Sequence, residues 1–505
     1  MDVMMKQSYL MVFVAGVVGM IYELAGVRLL IPYYGNSTIT WTAIISTFLG
    51  SIALGAWIGG VLADRKEFTM AQLANMLTVA AIFSAAMLFV NSLVLILLCT
   101  KIKNIYLSSF MASIAMFALP SIILGMIFPF MVKHAVKLEG FTATTIGKLS
   151  AFSTVGSIAG TILAGFVLIP SIGTNRILYL LPLLLISMAI ALSPKKHLLV
   201  RLVLMLFIIK ATITPTDGVL AIVFGQDKVE SIDSTFCRYI VYQSERDERP
   251  TINLTNTPFA VQSIRYTDHD DDFLITKTYA DFFRLTDYFQ TETSKNVLML
   301  GGGAFIFPQY YNNMHPDVSV DVVEIDPALP GIAKKYFKFS PNKNLTVHTD
   351  DARRYLEKTN QKYDHIYLDV FTSAANIPFH LTTTEFFDTL SGSLTEKGYL
   401  AFNIVSAVTG EKSKMYKSIA KTIQQHFKQI YIFPVNNSEK SGDIQNITFF
   451  ASNDPQRKKI VLTGDKHTNE LLSLYLDAPG SFEEGLFLTD NYAPTEYMLT
   501  LNYHQ

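Results

Sequence analysis

Two cysteines in 505 residues, Cys99 in an apolar run and Cys237 in a polar one, are too few and too differently placed for a disulfide framework or a metal site. They therefore say nothing of the redox compartment. Runs of Lys and Arg interleaved with aromatics are also missing, which argues against nucleic acid as a partner. Acids are scarce in one half only. Residues 1–224 hold 6 Asp and Glu against 14 Lys and Arg, while the remainder holds 36 against 27, so regional net charges of +8 and −9 hide inside an overall −1. A glycine is absent as well where a dinucleotide fingerprint needs its third, because Gly301-Gly302-Gly303 runs on into Ala304-Phe305-Ile306-Phe307-Pro308. That gap favours a mononucleoside ligand over NAD.

What fills the first half is apolar length. Stretches able to cross a bilayer occur at about 8–32, 39–63, 71–99, 105–133, 147–170 and 175–193. A seventh, Leu198 to Thr214, is short and carries Arg201 and Lys210, so it either spans by snorkelling or lies in the interface. Glycines and other small residues at Gly50, Ala53, Gly55, Gly59 and Gly60, and at Gly156, Ser157, Gly160 and Gly165, read as helix packing faces. With the N-terminus inside, Arg65, Lys66, Lys133, Lys137, Lys148, Lys195 and Lys196 fall on the inner loops and Arg28, Lys101, Lys103 and Arg176 on the outer ones. The positive-inside bias thus favours a cytoplasmic N-terminus. Six spans then return the soluble half to the cytoplasm and seven place it outside; supply of a nucleoside substrate favours the cytoplasm.

Beyond the apolar half, residues 225–290 read as a small β subdomain with strands near 239–243, 251–254 and 259–264. From 291 onward strands at 296–300, 318–325, 345–348, 364–370, 398–404, 429–434 and 445–451 alternate with helical patterns. The fold class expected is therefore multi-domain: a polytopic α-helical membrane region over 1–224, the β subdomain over 225–290, and a doubly wound α/β, Rossmann-like and methyltransferase-like, nucleoside-binding domain over 291–505.

The chemistry gathers at strand ends of that last domain. Gly301, Gly302 and Gly303 leave backbone N–H groups open to close approach, and Glu324 ends the next strand where a ribose presents its hydroxyls. Asp350, Asp351 and Ala352 follow the third strand, and Asp369 stands near the end of the fourth. In a doubly wound sheet Gly301, Glu324, Asp351 and Asp369 are expected to converge on one edge, with Asp351 accepting from an adenine amino group and Asp369 over the reacting end.

Gly301-Gly302-Gly303, Val323-Glu324-Ile325-Asp326, Asp350-Asp351-Ala352-Arg353 and Tyr367-Leu368-Asp369 together resemble the spermidine synthase (polyamine aminopropyltransferase) family, membrane-fused bacterial type. Gln262 and Tyr279-Ala280-Asp281 are similar to the glutamine and the Tyr-His-Glu run that precede the glycine strand there, and Leu488 to Glu496 is similar to the closing motif of the fused proteins. The resemblance implies transfer of an aminopropyl group from decarboxylated S-adenosylmethionine, a co-substrate, to putrescine or another amine, with release of methylthioadenosine and no metal or prosthetic group. It makes Asp369 the base that takes the proton of the amine. It also implies Glu324 on the ribose, Gln262 on the nucleoside or amine side, and Tyr279, Asp281 and Thr372 around the amine. A homodimer through the β subdomains follows from the same resemblance.

Two positions depart from that pattern. Ala304 and Thr372 stand where the family usually has aspartates, and losing two charge-assisted contacts of about 1.5–3 kcal/mol each puts a dicationic substrate such as putrescine in doubt. Asp268, Asp270, Asp271 and Asp272 offer replacement charge. Two other readings stand beside aminopropyl transfer: a methyltransferase-like enzyme using ordinary S-adenosylmethionine, and a sensor or transporter that binds polyamine or nucleoside without chemistry.

Overall fold

The computed structural model describes all residues except 1, 66–68, 140–141, 194, 196, 214–228, 270–272, 275–277, 291–293, 373–375, 437–441, 457, 477–481 and 501–505. The chain divides into two compact units, Met1–Arg238 and Tyr239–Gln505. The boundary expected at 224/225 lies outside the described residues.

Among the described residues of the first unit six helices are long and apolar enough to cross a membrane: Met5–Tyr34, Thr38–Asp64, Met70–Lys101, Ile105–Leu138, Ala143–Ile172 and Thr174–Leu192. Each coincides with one of the expected stretches. Their heads are set by short polar side chains, as where the Ser37 hydroxyl accepts from the Thr40 N–H and that of Thr142 from the Thr145 N–H. Gly156 and Gly160 of the fifth span press on the backbone of Phe13 and Val17 in the first, and Gly55 and Gly59 of the second press on Ile122 and Met126 in the fourth. Any Cβ at these four positions overlaps the facing chain. Gly50, Gly60 and Gly165 face open space, so only part of the small-residue pattern serves close approach.

The segment with the ambiguous span is a helix from Leu198 to Ile213. Arg201 does not snorkel. Its guanidinium is fully buried and donates to the carbonyls of Ala189 (3.0 Å) and Ser193 (2.8 Å), to Asn75 Oδ1 (3.0 Å) and to Thr78 Oγ1 (3.1 Å). Ala189 O already accepts from the Ser193 N–H (3.1 Å), and Arg201 Nη1 adds a charged donor to it and to Ser193 O at the end of the sixth span.

The second unit begins with an antiparallel meander. β1 (Val229–Asp233) precedes it within the first unit, and β2 (Arg238–Arg246) pairs with β3 (Arg249–Thr255), which pairs with β4 (Ser263–Tyr266). A two-residue turn joins β2 to β3, with Asp247 and Glu248 at φ of 52° and 62°, the left-handed pair a tight hairpin requires. The strand expected at 259–264 starts later, at Ser263. Pro258 cannot donate to a ladder, and Thr257 and Ala260 bridge across a turn instead.

Among the described residues seven further strands form one sheet: β5 (Asn296–Leu300), β6 (Ser319–Glu324), β7 (Leu345–Thr349), β8 (Tyr363–Leu368), β9 (Leu394–Ser406), β10 (Gln429–Pro434) and β11 (Gln445–Ser452), in the spatial order β10-β11-β9-β8-β5-β6-β7. The five strands β7-β6-β5-β8-β9 run parallel, and β11 lies antiparallel between β9 and β10. The doubly wound α/β expectation is met. The central strand β5 is apolar over Val297-Leu298-Met299-Leu300, as expected where helices cover both faces of a parallel sheet.

Candidate active site

The order of the sheet makes four strand ends neighbours: Asp369 follows β8, Gly301 follows β5, Glu324 ends β6, and Asp350 and Asp351 follow β7. The tightest element is the glycine turn. Gly301 has φ +94°, and a Cβ there overlaps the Asp369 carbonyl; Gly303 has φ +51°. The Asp369 N–H donates to Leu300 O (2.9 Å) and the Gly301 N–H to Val323 O (2.9 Å), which locks the turn between its two neighbouring strands. Phe305, at φ 56°, then starts the helix Ile306–Met314.

Glu324 is buried and faces this turn. One carboxylate oxygen accepts from the N–H groups of Gly302 (2.8 Å) and Gly303 (3.3 Å), and the other from that of Asp326 (2.9 Å). Burial pushes its carboxyl above the usual range, and the backbone donors offset part of that. Asp326, also buried, takes the Tyr239 hydroxyl at 2.9 Å.

Asp351 caps the helix Ala352–Lys358. One oxygen accepts from the N–H groups of Arg353 and Arg354 (3.0 Å each), and the other faces His380 Nε2 at 3.3 Å. The His380 contact leads the causes that hold its carboxyl down at about 2. Ala352 is buried behind it. Asp350 accepts from the Asp351 N–H (2.8 Å) and pairs with Arg354 and Lys358, so its carboxylate is occupied by cations of its own loop and helix.

Asp369 is half-buried, accepts from Asn403 Nδ2 at 3.1 Å and is hydrogen-bonded to the Tyr279 hydroxyl. Burial pushes its carboxyl up to about 6, with Tyr279 and Asn403 pulling the other way. Tyr279 is raised in turn by burial and by this carboxylate. Asn403 is 1% exposed and its Oδ1 finds no partner among the described residues, and the same holds for the buried Oε1 of Gln262. Two orphaned acceptors beside an acid and a glycine cradle suit a ligand that brings N–H or O–H donors, as an amine or a ribose does. Ser263, next to Gln262, accepts from the Ala304 N–H at 3.2 Å, which fixes the β4 strand against the glycine turn.

Other expected residues turn elsewhere. Asp281, fully buried, accepts from His467 Nε2 (2.8 Å) and Arg284 Nη1 (3.2 Å). Thr372 closes a local turn, its N–H (2.7 Å) and hydroxyl (3.1 Å) both donating to Asn376 O. Asp268 pairs with Arg249 at 2.7 Å, while Asp270, Asp271 and Asp272 lie outside the described residues. The C-terminal motif enters through Asp490, which holds Arg353 in a two-bond pair (2.7 and 2.6 Å) and accepts from the Thr383 hydroxyl (2.7 Å).

Comparison with known proteins bears on this unit directly. Residues 286–456 match the Spermine/spermidine synthase domain. The chain carries a polyamine-aminopropyltransferase-like domain. That distant domain is fused to the N-terminal polytopic helical region. Over 188 residues the chain is 33% identical to the polyamine aminopropyltransferase of Vibrio vulnificus, covering 36% of this chain and 59% of that protein. Over 447 residues it is 23% identical to polyamine aminopropyltransferase 2 of Aquifex aeolicus, covering 84% of each. A solved structure titled a probable spermidine synthase from Corynebacterium glutamicum superposes with a TM-score of 0.40 at 16% identity, over 55% of this chain and 94% of that one. Within the aminopropyltransferase-like domain the matched residues include the glycine turn, Glu324, Asp351 and Asp369, whereas Gln262, Tyr279 and Asp281 precede them.

Sequence reasoning passed over Asn403, Ser263 and His380. Asn403 left a signal, a lone amide in the otherwise apolar run Tyr399-Leu400-Ala401-Phe402-Asn403-Ile404 on a central strand, where a polar side chain needs a partner. His380 had none, since it lies far along the chain from the carboxylate it meets.

Proposed function

We propose that the protein is a membrane-anchored aminopropyltransferase that moves an aminopropyl group from decarboxylated S-adenosylmethionine to an amine and releases methylthioadenosine. The observation that carries this reading is the setting of Asp369. A carboxylate at the strand end beside the glycine turn, gripped by Tyr279 and Asn403 and titrating near 6, is ionised at neutral pH yet basic enough to take a proton from an ammonium drawn to it. Its bonds fix where it points, and the sulfonium leaving group needs no activation, so holding an unprotonated amine in line is the main task left to the protein.

Around it, Glu324 takes the ribose hydroxyls, Gly301, Gly302 and Gly303 line the donor, Asp351 with Ala352 and Asp350 forms the adenine side, and Gln262 offers its free acceptor. Tyr279 completes the amine side. With Ala304 buried against Ser263 and Thr372 bonded to its own loop, the amine pocket has fewer acids than a dication asks for, and a monoamine or a longer polyamine with a distal cation is the better acceptor. A homodimer is part of this reading. Donor supply on its own calls for a cytoplasmic domain.

The test is purified protein with decarboxylated S-adenosylmethionine and a panel of amines, read as methylthioadenosine released. Asp369→Asn is expected to remove release, by a factor of about 10² or more, while calorimetric binding of the donor stays within a few fold. Donor binding by the wild type without release for any amine would replace the enzyme with a sensor. Tighter binding of the carboxylated donor would point to methyl transfer.

A further inference from the structure

We infer that the chain crosses the bilayer a seventh time, between Ser193 and Val229, and leaves the helical bundle on the face opposite its N-terminus. The first span is the ruler. Near its start Gln7 Nε2 donates to Ala191 O (2.8 Å), at the end of the sixth span. Near its other end Arg28 donates to Thr235 O (2.7 Å) and Ser234 O (3.0 Å), in the segment just after β1. At about 1.5 Å per residue Gln7 and Arg28 are roughly 31 Å apart along the helix, close to the ~30 Å of a hydrocarbon core. Ala191 and Ser234 are therefore on opposite faces.

The sixth span repeats the measurement independently. At its C-terminal end the carbonyls of Ala189 and Ser193 hold Arg201; at its head Gly173 touches the Asp233 side chain so closely that a Cβ would overlap it. Asp233 also meets the field of Arg28, Arg176 and Arg238, which gather at that same end. Other spans agree on which end is which, with Lys133 donating to Ala63 O on the N-terminal side and Tyr34 bonded to Ser108 on the far side.

Helix Leu198–Ile213 begins at the near face, where Arg201 is pinned, and packs chiefly along the sixth span. Ile208 is buried against the bundle, while Leu199, Leu206 and Phe207 are 67–76% exposed, as side chains meeting lipid are. Its length is about 24 Å, most of the thickness. Lys210, near the end of the helix, is the cost of this path, and a long-stemmed cation near a helix end is the kind a bilayer tolerates best.

Loop charge assigns the faces. Arg65, Lys133, Lys137, Lys148 and Lys195 lie on the N-terminal side against Arg28, Lys101, Lys103 and Arg176 on the other, so the N-terminal face is cytoplasmic and the exit face is not. A seventh crossing stands against the cytoplasmic placement expected from six crossings. The crossing rests on the bundle alone; its consequence rests on the proposed function, and is that the donor as well as the amine has to reach the site from the extracytoplasmic side, against the cytoplasmic placement that donor supply on its own calls for.

The experiment uses the full chain in intact cells, with Cys99→Ser and Cys237→Ser as background and a single exposed cysteine placed by Lys195→Cys, Lys103→Cys or Glu245→Cys, then a membrane-impermeant maleimide before and after permeabilisation. Glu245→Cys is expected to label with Lys103→Cys from outside, and Lys195→Cys only after permeabilisation. Glu245→Cys behaving like Lys195→Cys would overturn the seventh crossing. Labelling of Lys195→Cys alone from outside keeps the crossing and overturns the assignment of faces. Neither readout depends on catalysis, so failure here is separable from failure of the aminopropyl reading.

Discussion

At Asp369 function and stability pull in opposite directions. Its carboxyl titrates near 6 in the folded protein against about 3.9 in an unfolded chain, so the folded state binds the proton more tightly. Stability linked to this group is fully present below about pH 4 and is lost as pH rises through 6. Asp369→Asn, which keeps the shape and drops the charge, is therefore expected to raise the melting temperature of the detergent-solubilised protein at pH 7.5 by a few degrees and to leave it unchanged near pH 4. The wild-type rate is expected to fall about tenfold per pH unit below 6 as the base is protonated. A variant that melts earlier at pH 7.5 would show that the carboxylate is structural.

Among elements, the loop after β7 is held from a distance. Arg353 belongs to the loop-and-helix motif that presents Asp351, and Asp490 belongs to a segment near the C-terminus, yet the two form a two-bond pair braced by Thr383. Arg353→Ala, Asp490→Ala and the double variant are expected to show a coupling energy of about 1 kcal/mol in a thermodynamic cycle, with donor affinity weakened equally in all three. Additive effects would mean that the pair is a surface contact of no consequence for the loop. The strand pattern of this unit was readable because apolar runs with glycine or acid at their ends mark parallel strands. The start of β4 was not, because the Pro258 turn consumes four residues that look strand-like by composition.

The scale of the whole molecule is set by close helix contact in the first unit and by a sheet edge in the second. Gly55→Val is expected to lower the melting temperature and the yield of folded protein, because a side chain there enters the backbone of Ile122, whereas Gly50→Val, facing open space, is expected to be silent. Equal effects at both positions would put the packing elsewhere. These two glycines sit five residues apart in one span and look alike in the sequence.

Spans, most of the strands, the glycine turn and its following acids were determined by the sequence alone, since each depends on local periodicity or on a backbone conformation that favours one residue type. The tertiary structure decided the rest. It bonded Glu324 to the glycine turn, gave Asp369 its Asn403 and Tyr279, turned Asp281 toward His467 and Thr372 toward Asn376, and buried Arg201 on the ends of its neighbours. Hydrogen-bond partners distant in sequence are chosen by three-dimensional proximity, and an isolated chain carries no record of which acceptor a given donor will reach.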